Sequence, residues 1–306
     1  MIAANTIIDI VFIAIFAIIA PFSIFGAVKH SKGRRDAYVL LNLFVLLRIL
    51  GDILLVVAAQ DNSAPVKTIT DLFTAGFIMS NIGYGFLISA CISLYNSAMG
   101  IDKKNQKRGF DRAALLQNPS RLLHVINLVA TILLIVGMND SSEVFAAGAL
   151  PRNSPARAHA QVDSLAQIGY ILYLVVTILF ILLIASHHIR ANYGAHHQTS
   201  ESHTAAKWTL AFVSVAQIPM LIRVAYSTSL VYSASYLNYN IYERLVLQYI
   251  MEVIAVLILL ALGFTLQFKG LLPGNTSSSY DHHAYDAEKD SQIPPYQGAQ
   301  QAPIAY

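Results

Sequence analysis

Four charged side chains stand inside runs that are otherwise apolar: Arg48, Asp52, Arg223 and Glu252. Arg48 and Asp52 are four residues apart, so on a helix they share a face and can pair directly. Arg223 follows Pro219 by four residues, and Tyr226 and Ser227 come just after it. Arg244, Gln248 and Glu252 repeat at i, i+4 and i+8, a polar stripe along one helix face. Asn81 brings an amide into a further apolar run, and Gln217 adds one to the run that holds Arg223. Three kinds of chemistry suit this set. Arginines can hold an anionic head group while carboxylates keep the empty site neutral. Carboxylates can carry protons. Opposite charges can also cancel and simply fix helix register. Buried charge in an apolar medium is costly, so such groups mark a functional or paired interior. The expected polar core or ligand site comprises Arg48, Asp52, Asn81, Arg223, Tyr226, Gln248 and Glu252.

Composition says what must position these residues. The chain has 306 residues, 56% hydrophobic and only 12% charged. Its mean hydropathy is +0.54. A soluble domain carries about 25% charged residues. The expected fold class is therefore an all-α membrane protein, a seven-transmembrane helix bundle with the lipid bilayer as its first partner. A span needs roughly 20 apolar residues. Seven segments qualify, at about 6–28, 37–59, 69–98, 120–138, 163–189, 204–232 and 241–268, with Pro119 expected in the first turn of the fourth. Spans two, six and seven should turn their charged faces inward. Spans one, four and five should face lipid. Pro21 and Pro219 should bend their helices.

Basic residues set the expected orientation. Lys29, Lys32, Arg34 and Arg35 follow the first span; Lys103, Lys104, Lys107, Arg108 and Arg112 follow the third. The opposite side carries Lys67, Arg152 and Arg157. The positive-inside rule puts the N-terminus outside and the C-terminus in the cytosol. Residues 1–272 then form the membrane domain. Residues 273–306, rich in Pro, Gly, Ser, Gln and Tyr, read as a disordered cytosolic tail that could hold a cytosolic partner. The choice between plasma membrane and endomembrane stays open.

Other signals are weaker. Gly85, Ser89, Ser93 and Ser97 repeat every four residues, a seam for close helix packing. Glycines around Asn81 suggest a kink or ligand-facing backbone there. Tyr226, Tyr232, Tyr236, Tyr239, Tyr242 and Tyr249 read mostly as an interfacial belt, with Tyr226 and Tyr249 deep enough to join the core. His187, His188, His196, His197 and His203 cluster without a metal-ligand spacing, so no metal and no cofactor is expected. The single cysteine, Cys91, excludes an intrachain disulfide. A net charge of +3 gives no reason to expect nucleic acid. No lysine lies inside span seven for a retinal linkage. HExxH, GxSxG and P-loop patterns are absent, so no enzyme activity is expected. Leu46-Leu47-Arg48-Ile49 is similar to Leu221-Ile222-Arg223-Val224, and Phe77-Ile78-Met79 to Tyr249-Ile250-Met251. Spans 1–3 and 5–7 could therefore be parallel repeats joined by span four.

At several of these residues the chain resembles a fungal seven-span membrane family classed as a domain of unknown function. The likeness lies in Leu47-Arg48-Ile49-Leu50-Gly51, Asn81-Ile82-Gly83, Arg223 with Tyr226, and Glu252, and it covers roughly residues 6–270. It implies a fungal membrane protein without an assigned activity. More distantly the layout is similar to the RTA-like seven-span proteins, linked to lipid translocation. The leading expectation is a transporter or translocase-like protein for an amphiphilic small molecule. A receptor coupling an outer cavity to the basic third loop, or a structural protein with a packing-only ion-pair network, are the alternatives. A closed, dry network would favour the last.

Overall fold

The computed structural model describes residues 4–30, 32–60, 65–99, 119–144, 161–193, 200–233 and 240–269. The tail at 273–306, most of the basic third loop, His196, His197, Tyr236 and Tyr239 lie outside the described residues, as does the side chain of His203. Seven helices are long and apolar enough to cross a membrane. They are α1 (Ala4–Lys29), α2 (Lys32–Gln60), α3 (Val66–Ala98), α4 (Pro119–Asp140), α5 (Ser164–Tyr193), α6 (Ser200–Val231) and α7 (Ile241–Phe268). No strand occurs among the described residues. This is the architecture of a multi-pass integral membrane protein.

Local chemistry explains the helix ends. Pro119 opens α4, where its missing N–H costs nothing. Asn240 caps α7 by accepting from the Tyr242 N–H at 3.1 Å. Hydroxyls inside the bundle bond back to their own helix, as Thr70 does to the Val66 carbonyl and Thr177 to that of Tyr173. With no water in the hydrocarbon layer, that is the nearest acceptor. Both α1 and α6 run unbroken through Pro21 and Pro219.

Neighbours in sequence pack side by side, and α7 closes the ring against α1. The third helix is central: it touches α2, α4, α5 and α6. Its apolar stretch is 61% buried, against 28% for α1. Large apolar side chains such as Ile18, Val28, Leu182 and Ile218 are exposed, as lipid-facing residues must be. The small-residue seam of α3 does pack. Asn127 of α4 donates to the Gly85 carbonyl and to Ser89 Oγ, both at 2.9 Å. Helix α3 is helical throughout, Asn81 included.

One joint outside the spans is pH-sensitive. His30, between α1 and α2, is buried, its Nδ1 lies 2.7 Å from the Gly26 carbonyl, and its ring meets Tyr38 at 4.5 Å. A carbonyl only accepts, so Nδ1 carries the proton of the neutral ring. Burial, assisted by the nearby Arg34 charge, lowers its pKa from the ordinary 6.5, and the Gly26 bond only partly opposes this. The unfolded chain therefore binds more protons than the folded one just below pH 6.5. The contribution is full above the unfolded value and is lost as pH falls through the folded one. The melting temperature is expected to drop on acidification through this window, and His30→Gln to flatten that drop. An equal acid loss in His30→Gln would assign the effect elsewhere.

Candidate functional site

The charged core is built by α1, α2, α6 and α7, with amides and rings from α3 and α5. Glu252 is its hub. One carboxylate oxygen lies 2.7 Å from Arg223 Nε and the other 3.0 Å from Arg48 Nε. Asp52 lies one turn beyond Arg48, with its nearest approach 3.7 Å from Arg48 Nη1. Arg48, Asp52, Arg223 and Glu252 are each at most 1% exposed. The Arg48 contact to Glu252 is an ion pair by distance, but its N–H is not aligned as a hydrogen bond.

Aromatic rings cover the guanidinium groups. Arg48 lies 4.4 Å from the Tyr249 ring centre and Arg223 4.2 Å from that of Tyr84. Such stacking is worth up to about 2 kcal/mol away from water. Asn81 accepts from the Tyr170 hydroxyl at 2.8 Å and, weakly, from Arg223 at 3.5 Å. Asn81 and Gln248 do not join the ion pairs to Glu252. They line a small adjoining cavity of about 10 Å³ together with Phe77, Tyr170, Ser227 and Arg244. That is room for about one water.

Two expectations change. Spans one and five are not merely lipid-facing. Asp9 of α1 is buried and accepts the Tyr249 hydroxyl at 2.5 Å, and α5 sends Tyr170 to Asn81. The regular i, i+4, i+8 stripe of α7 is also interrupted. Residues Leu245–Ile250 form a π-helical turn, which bonds i to i+5. Residues five apart then stack, and Arg244 donates to the Tyr249 hydroxyl at 3.2 Å. The widened turn thus brings Tyr249 inward, where it meets Arg48, Arg244 and Asp9. Tyr226 is half-buried with its hydroxyl oxygen enclosed, while Tyr84, Tyr170 and Tyr249 contact Arg223, Asn81 and Arg48. Tyr232 and Tyr242 are exposed, as belt residues are.

With Asp9 and Arg244 included, the core holds Arg48, Arg223 and Arg244 against Asp9, Asp52 and Glu252. All six are buried. Ionised throughout, the set is neutral. Yet among the described residues Arg48 Nη2, Arg223 Nη1, both Asp52 oxygens and Ser80 Oγ make no hydrogen bond despite complete burial. Buried polar groups are normally satisfied. The core can therefore hold charge and offers free donors at its centre.

No curated protein and no solved structure matches the chain. Residues 2–269, which span the whole described bundle, match the family described as Domain of unknown function (DUF7702), and the chain belongs to that family.

Proposed function

We propose that this protein binds an amphiphilic, lipid-like molecule inside the membrane and translocates it, with the Arg48–Glu252–Arg223 centre receiving the head group. One observation carries the reading: two wholly buried arginines keep N–H groups, Nη2 of Arg48 and Nη1 of Arg223, without acceptors. A network that served packing alone would satisfy its donors, because each buried orphan costs about 1–3 kcal/mol. The cavity lined by Asn81, Ser227, Arg244 and Gln248 is the natural approach, since Asn81 also contacts Arg223. In this reading the conformation is occluded, the N-terminus lies outside and the basic loops and tail face the cytosol. No step requires enzyme chemistry or a cofactor. A cytosolic partner for the tail belongs to the same proposal.

A packing-only network is the second reading, favoured by the balanced charges and the small adjoining cavity. Thermal stability in detergent against a panel of lipids and amphiphiles separates the two. One ligand class is expected to raise the wild-type melting temperature by several degrees, and Arg223→Gln to lose that gain. If nothing stabilises the wild type and Arg223→Gln is only less stable, the network is structural.

A further inference from the structure

Asp52 is the carboxylate that the rest of the core leaves over. Glu252 occupies both arginines, and Asp9 holds the Tyr249 hydroxyl. Asp52 is fully buried, its nearest cationic nitrogen is 3.7 Å away, and neither of its oxygens accepts a hydrogen bond. Protonating Glu252 would weaken two close ion pairs. Protonating Asp9 would disturb one short hydrogen bond. Protonating Asp52 disturbs no hydrogen bond at all. The groups that face it are Arg48 on its own helix, Asp9 on α1, and Arg244, Tyr249 and Glu252 on α7. Helix α3 brings the Ser80 hydroxyl beside Gly51, and its sequence has no charged residue after Asp71.

The charge count gives this consequence. Three arginines balance three carboxylates only while Asp52 is ionised. A proton on Asp52 leaves one surplus positive charge in a medium that penalises it. A single negative charge placed at the free N–H groups of Arg48 and Arg223 restores neutrality. We infer that the core takes up one proton on Asp52 together with one monoanionic head group, the carboxylate of a fatty acid. The proton comes from the water phase, adds to a carboxylate oxygen of Asp52, and leaves with the ligand; no other bond changes. This inference rests on the core being the amphiphile site, and it names the class and the coupling of that ligand.

Difference infrared spectroscopy on the full chain in zwitterionic-lipid nanodiscs tests it, with carboxyl-labelled laurate and dodecanol as probes. Laurate at constant pH is expected to produce a new protein carboxylic-acid carbonyl band. Asp52→Asn should lose that band, and Asp52→Glu should restore it at a shifted frequency. Dodecanol should produce none. If laurate stabilises the wild type, and not Arg223→Gln, without any new band, the coupling is wrong while the site stands. A band that persists in Asp52→Asn assigns the proton to another group and overturns the inference. Stabilisation by dodecanol but not laurate overturns the anionic class and leaves the site. If no amphiphile of either kind stabilises the protein, the site and the coupling fall together.

Discussion

Glu252→Leu is expected to destabilise the folded protein by about 3–5 kcal/mol, the range for removing one partner from a buried ion pair. The reason is the hub geometry. Glu252 alone faces both Arg48 and Arg223 at ion-pair distance. Without it, the polar contacts left among the described residues are Asn81 at 3.5 Å from Arg223 and Asp52 at 3.7 Å from Arg48. Two guanidinium groups then share too little negative charge, and the core carries a surplus cation. Stacking on Tyr84 and Tyr249 recovers a part of this. Glu252→Gln keeps the shape and one acceptor, so its loss should be smaller. Glu252→Leu with Arg223→Met restores the charge balance and should recover much of the stability, a non-additivity expected of contacting residues. Thermal unfolding of the four proteins in one detergent measures all of this. A Glu252→Leu protein that melts with the wild type would mean the pairs hold nothing together.

The seven spans were legible because length and hydropathy alone decide what can cross a bilayer. The second span, expected at about 37–59, falls within the stretch Arg34–Gln60. Four site residues were legible because charge in an apolar run is expensive enough to need a reason. Asp9 escaped because it lies near the start of its helix, where an acidic residue passes for an interfacial one. Tyr84 and Tyr170 escaped because a tyrosine in a span is unremarkable until its neighbours are known. The role of Tyr249 depended on a π-helical turn that no i, i+4 pattern encodes. The suggested repeat put Arg48 and Arg223 at matching positions. In the structure these two arginines lie at the two oxygens of one carboxylate, each against a tyrosine ring, a contact that by itself does not establish a repeat.

Gly137→Val is expected to be the most damaging change outside the charged core. A Cβ at residue 137 would lie 2.0 Å from the Ala166 nitrogen and 2.7 Å from its Cα. Both are backbone atoms of α5, so no side chain can turn aside to make room. The two helices must separate instead. The same crossing carries a polar clasp: Ser141 Oγ donates to the Gly137 carbonyl at 2.6 Å and accepts from the Asp163 N–H at 2.8 Å. Further along, Thr131 and Tyr173 share a 2.9 Å hydrogen bond. Separation stretches the two bonds that cross between the helices, Asp163 to Ser141 and Thr131 to Tyr173, and the second lies inside the spans, where no water can replace it. Overpacking usually costs 1–3 kcal/mol; here about 3 kcal/mol or more is expected, read as a lower melting temperature and a poor folded yield. Gly169→Ala, whose added Cβ would meet α4 atoms at 3.0–3.1 Å, should cost less. The order matters because Tyr170, next to Gly169, reaches Asn81 in the core. If Gly137→Val also loosens that contact, the ligand-induced stabilisation falls with it. Equal melting of Gly137→Val and wild type would show that α4 and α5 do not approach this closely.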